Sequence, residues 1–157
     1  MNSVTLSDVR KELAHVPAAT LQEMCLRMAR FKKENKELLT YLLFEAHDEG
    51  AYIAKIKEEL DELFAGVNQT NVYFIKKNLR RILRTLNKQI RYSGIKQTEL
   101  ELRIHFCRRM NDAGMQSLPS QVIVNLYSQQ LKKINTVLEK LPEDLQYDYH
   151  SDIETLK

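Results

Sequence analysis

The sequence predicts an all-α protein, a single domain over residues 1–157 built as an antiparallel helical bundle or a stack of helical hairpins, with about seven or eight helices. Three observations carry that expectation. Only four Gly and three Pro interrupt 157 residues, so turns are few. Leu, Lys, Glu and Arg dominate, which are residues that lose little rotamer freedom in a helix. Apolar side chains recur at three- and four-residue spacing along most of the chain, the period of a helix with one buried face.

The elements follow in order. A first helix is expected near Ser7 as N-cap, with Val9 and Leu13 inward, ending before Pro17. A second spans about 18–31, and its Leu21, Met24, Cys25 and Met28 form a core-facing stripe that makes Cys25 a buried position. The third, ENKELLTYLLFEAH, is apolar around most of its circumference and is the expected centre of the fold, with residues 37–44 deeply buried. Residues 48–50 form a break or kink before a fourth helix, Ala51 to Phe64, capped at Gly66. The longest helix runs from about Asn71 to Tyr92 and closes at Gly94. A sixth covers about Lys96 to Ala113 and stops at Gly114, and Ser120 caps a seventh that reaches Leu141. A last short helix begins at Pro142, with Glu143 and Asp144 suiting the positive end of its dipole. Residues 1–4 and about 150–157 are expected to be mobile.

Composition excludes several classes. A hydrophobic fraction of 43% with 29% charged residues is that of a chain able to bury a core, and at this length folding removes about 70% of the extended chain's surface from water. No window is apolar enough for a transmembrane segment, and MNSVTLSDVRKEL lacks both a basic start and an apolar signal core. Two cysteines, Cys25 and Cys107, are read as reduced, packed thiols of a cytoplasmic protein. Oligomeric state leaves no mark in the sequence.

Catalytic patterns are absent, so the expectation is no enzyme, no cofactor and no metal. A di-metal bundle needs Glu-x-x-His, whereas Glu45 and His47 are two apart. His105 and Cys107 diverge by about 160° on a helix and cannot share a ligand. His105 reads as an exposed imidazole paired locally with Glu101 and Arg108. His15 and His47 stand near helix ends, and His150 is in the tail. A Cys–His hydrolase, or an enzyme built on scattered carboxylates and His105, is the alternative of another class.

Charge distribution is the one strong asymmetry. No acidic residue falls between Glu62 and Glu99, while Lys76, Lys77, Arg80, Arg81, Arg84, Lys88, Arg91 and Lys96 all do, in a chain whose net charge is +3. Ile75, Leu79, Ile82, Leu83, Leu86 and Ile90 share one arc of this helix and the cations take the other. Lys76, Arg80, Arg84 and Lys88 recur every four residues, where like charges repel by a few tenths of a kcal/mol per pair, so a compensating charge is expected. It is either internal or external. Internal suppliers are Glu58, Glu59, Asp61 and Glu62, and Glu143, Asp144, Asp148, Asp152 and Glu154, which would make this a purely structural charged face in a protein with a protein–protein role. The external reading is a non-enzymatic binding or scaffold domain that engages nucleic acid or an acidic protein through Lys76, Lys77, Arg80, Arg81, Arg84, Lys88 and Arg91, ahead of an anionic membrane. Tyr73, Phe74 and Tyr92 flank the stretch and offer stacking surfaces.

The first third, LSDVRKELAHVPAATLQEMCLRMARFKKENKELL, resembles the N-terminal part of small uncharacterised all-helical bacterial domains. The matching features are a short helix followed by a Leu-rich one ending in Phe31, Lys32 and Lys33, with Lys36 and Glu37 behind. That resemblance implies an all-helical fold and no known activity. The same outline, with Pro17 in the loop, is similar to small nucleic-acid-binding modules, although the basic and Gly residues they carry in that loop are missing here.

Overall fold

Short polar side chains decide where four of the helices begin. In the computed structural model, which describes residues 3–157, α1 (Leu6–Leu13) starts at Thr5 and not at Ser7. The Thr5 hydroxyl accepts from the Asp8 backbone N–H, and the Asp8 carboxylate accepts from that of Thr5, a reciprocal capping box that Ser7 lacks the downstream acid to build. The chain continues through α2 (Ala18–Phe31), α3 (Lys33–Thr40), a π-helical turn at Tyr41–Glu45, α4 (Glu49–Ala65), α5 (Val72–Ser93), α6 (Lys96–Asp112), a 3-10 turn at Met115–Ser117, α7 (Gln121–Leu138) and α8 (Glu143–Glu154). The architecture is all-α. Asp48, Asn71 and Ser120 cap α4, α5 and α7 through side-chain oxygens, and Gly94 ends α5 at φ +68°, a left-handed conformation that favours glycine.

Two compact units divide the chain, residues 1–44 and 45–157. In the first, α2 packs on α3, and the Asn35 side-chain amide donates to the Met28 carbonyl across the break between them. Tyr41 is the one buried residue among those described there. The expected central helix is therefore not central. Leu42, Leu43 and Phe44 are 56%, 62% and 68% exposed. An apolar circumference calls for cover on several sides, yet Leu42, Leu43 and Phe44 face solvent, and the π turn carries them off the α-helical register. Cys25 is also exposed, because the stripe it belongs to sits in a small unit whose three helices do not enclose it.

In the second unit α6 takes the central position, packed against α4, α5 and α7. Leu100, Leu102, Ile104, Phe106, Cys107 and Met110 are buried around it, and Thr98, Arg103 and His105 are buried too. Tyr52, Ile56, Leu60 and Phe64 of α4, Ile75, Leu79, Ile82, Leu86 and Ile90 of α5, and Ile123, Leu126, Ile134 and Val137 of α7 complete the core, each set at helical spacing. Phe64 and Phe106 meet with ring centroids 5.4 Å apart. The tail is packed where mobility was expected. Ile153 and Leu156 are buried, and the Tyr127 hydroxyl donates to the Leu156 carbonyl at 2.5 Å. Of the N-terminal residues expected to be mobile, 1–2 lie outside the described residues, and Ser3 and Val4 are exposed. No helix among the described residues is long and apolar enough to cross a membrane.

Candidate polyanion-binding face

Helix α5 is divided lengthwise by its sequence. Its buried residues step through Ile75, Leu79, Ile82, Leu86 and Ile90, which forces the intervening cations outward. Lys77, Arg80, Arg81, Arg84 and Arg91 are exposed and Lys76 and Lys88 half-buried. Tyr73, Lys76, Lys77, Arg80 and Arg84 line a shallow concavity of about 330 Å³. The exposed Tyr73 ring stands edge-on to Phe74 at a centroid distance of 5.6 Å, leaving an aromatic surface beside the cations.

Three of the nine acids eligible to neutralise this face, Asp61, Asp152 and Glu154, are paired elsewhere. Asp61 of α4 sits 2.6 Å from His105 Nε2 and accepts from Arg109 Nε at 2.6 Å. Asp152 of α8 pairs with Arg108 at 3.1 Å, and Glu154 with Lys157 at 2.6 Å. Glu101 takes Lys57 at 3.0 Å and the Tyr149 hydroxyl at 2.6 Å. Among the described residues, Lys76, Lys77, Arg80, Arg81, Arg84 and Arg91 form no ion pair at all. α6 holds part of the reason. Its Arg109 and Arg108, both still partly open to solvent, hold Asp61 and Asp152 and so keep these two acids from α5.

Comparison of the chain with protein-family models, with curated proteins and with solved structures found no match.

His105 is not the exposed imidazole of the sequence reading. It is buried against α4, and its partner is Asp61, 44 residues away, not Glu101 or Arg108 on its own helix. Burial lowers its pKa from 6.5 despite the opposing pull of the Asp61 carboxylate. Cys107 is enclosed, and burial pushes its thiol up to about 12, which removes the thiolate a nucleophile needs. Burial also tends to raise Glu101, but the Tyr149 hydroxyl and Lys57 outweigh it and hold the carboxyl below its usual value. Tyr149 is correspondingly raised to about 12 by burial and by Glu101. No three His, Cys, Asp or Glu side chains among the described residues converge to hold a metal ion.

Sequence reasoning reaches only one edge of the network around Arg103. Arg103, 5% exposed, donates to Glu99 at 2.9 Å, to Asn87 of α5 at 3.1 Å and to Gln130 of α7 at 2.9 Å. It ties three helices together. Only the Glu99–Arg103 spacing of four was legible beforehand, since Asn87 and Gln130 arrive from other helices.

Proposed function

We propose that this chain is a non-enzymatic helical binding module of the cytoplasm that engages an acidic partner, nucleic acid foremost, through the cationic face of α5. The observation that carries this reading is the set of six α5 cations, Lys76, Lys77, Arg80, Arg81, Arg84 and Arg91, that have no ion pair within the described chain. Like charges one turn apart repel, and a line of phosphates would relieve that repulsion while releasing its own counterions. Tyr73, at the rim of the same concavity, supplies a face on which an unpaired base can stack. The apolar side of α5 is buried, so no base-reading element projects from it, and binding is expected to depend on charge more than on sequence. Two free thiols suit a reducing compartment. An enzyme built on His105 finds less support, because that imidazole is buried and its Nε2 is engaged by a carboxylate that Arg109 also holds.

Titration of labelled single-stranded and duplex DNA and RNA with the protein at low and moderate salt tests this. Affinity should fall steeply with salt, and replacing Lys77, Arg80 and Arg84 with Ala should weaken binding, lowering the salt slope by about one unit per lost phosphate contact. Thermal stability should stay within about 0.5 kcal/mol of the parent, since these side chains lose no internal partner. Absence of binding to all four nucleic acids at low salt would remove the nucleic-acid reading and leave an acidic protein as the partner of this face.

A further inference from the structure

The N-terminal unit carries a second surface whose chemistry differs from that of α5. Between α2 and α3 runs an open groove of about 810 Å³, with Leu26, Leu39, Leu43 and Phe44 among its lining and Arg30 and Lys36 beside them. The lining is mostly apolar. Leu43 and Phe44 are more than half exposed, and neither Arg30 nor Lys36 forms an ion pair among the described residues. A monomeric protein seldom leaves large side chains this open in a concave surface unless something covers them. The π turn beginning at Tyr41 adds to the exposure, because widening the helix there displaces Leu43 and Phe44 from the α-helical register of α3, and such turns often mark functional sites.

We propose that this groove receives an amphipathic helix of a partner protein, one that buries Leu- or Phe-like side chains at three- and four-residue spacing and flanks them with Asp or Glu. Shape and charge together select that occupant. An apolar trough between two helices accommodates the ridge of a third, the usual geometry of helix-in-groove recognition. Cations beside the trough favour carboxylates at the edges of the incoming helix and disfavour a basic one. A flat anionic lipid surface would satisfy the cations but would reach the concave lining less well than a convex helix does. A polyanion without apolar residues would leave Leu43 and Phe44 wet.

The test uses the full chain and three fluorescently labelled synthetic peptides, each about 18 residues or five helical turns long. The first carries Leu and Phe on one helical face and Glu on its flanks, the second has Lys in place of Glu, and the third scrambles the first. Fluorescence anisotropy should show saturable binding of the acidic peptide, at least about tenfold weaker binding of the basic one, and none of the scrambled one. The double variant Leu43→Ser, Phe44→Ser should weaken binding about tenfold or more with an unchanged melting curve. Arg30→Glu with Lys36→Glu should reverse the preference towards the basic peptide, and it provides the decisive comparison should the Ser variant lose its fold. Replacing Lys77, Arg80 and Arg84 with Ala should leave peptide affinity unchanged, which separates this groove from the α5 face. The proposal is overturned if acidic and basic peptides bind alike or not at all, or if the α5 variant abolishes binding while the groove variants do not. It is equally overturned if phosphatidylserine vesicles bind the chain through Leu43 and Phe44 and the acidic peptide cannot displace them. A dimer in sedimentation velocity that Leu43→Ser, Phe44→Ser dissociates would assign the groove to a second copy instead.

Discussion

His105 and Cys107 stand two residues apart on α6, and both are buried, with opposite consequences for their protons. The imidazole is held neutral in the folded chain because desolvation lowers its pKa from 6.5, whereas the unfolded chain takes up a proton near that value. As pH falls below about 6.5 the unfolded state therefore binds protons first, so the contribution of His105 to stability is complete above that pH and is lost as pH falls towards the folded-state pKa. Melting temperature should drop between pH of about 7.5 and about 5.5, and His105→Gln, which keeps a donor for Asp61 but cannot titrate, should flatten that drop. Parallel curves for parent and variant would show that other groups control it. The other three histidines are exposed, and Asp61, Arg109 and Lys57 face the His105 ring. For the thiols the expectation is asymmetric. Cys25 is exposed and should react at once with a thiol reagent in the native protein, while Cys107, enclosed and raised to about 12, should react only on unfolding. Two equally slow thiols would mean that α2 is covered.

Between helices the contrast is between α3 with its π turn, apolar and exposed, and α6, charged and buried. Leu42→Ala should change stability by less than about 0.5 kcal/mol, because the side chain is already more than half in water. Leu60→Ala, fully enclosed in α4 against α6, should cost about 2 to 5 kcal/mol through lost transfer energy and the cavity left behind. Chemical denaturation of the two variants checks both, and a large loss at Leu42 would reveal a buried interface in solution. Helical period located the inward arc of α5 correctly, since that helix presents one apolar face. It misplaces His105 on α6, which is buried together with Arg103 among partners from three other helices.

For the whole molecule, the two units differ in what holds them. Residues 45–157 enclose a core contributed by four long helices, whereas residues 3–44 bury only Tyr41. A chain of residues 45–157 should fold alone with a cooperative melt, and residues 1–44 alone should show at most partial helicity and no cooperative transition, since short helices without tertiary burial are marginal. Circular dichroism of the two fragments measures this. Non-cooperative melting of the larger fragment would mean that its core depends on the first 44 residues.

Composition and periodicity by themselves determined the all-α class, most helix limits, the helix ends at Gly94 and Ser120, and the division of α5 into an apolar and a cationic face, because these are local properties of near neighbours in the chain. Whether the cations of α5 would be neutralised was not local. The nearby acids of α4 and those of α8 were equally eligible in the sequence, and the tertiary structure turned Asp61 and Asp152 towards α6. The helix at the centre was likewise decided by packing, since a hydrophobic surface can be covered only where other elements are long enough and near enough to reach it. Those around α6 are. The short helices α1 and α2 leave α3 and its π turn open, and that difference in enclosure placed the core in one half of the chain and an exposed apolar groove in the other.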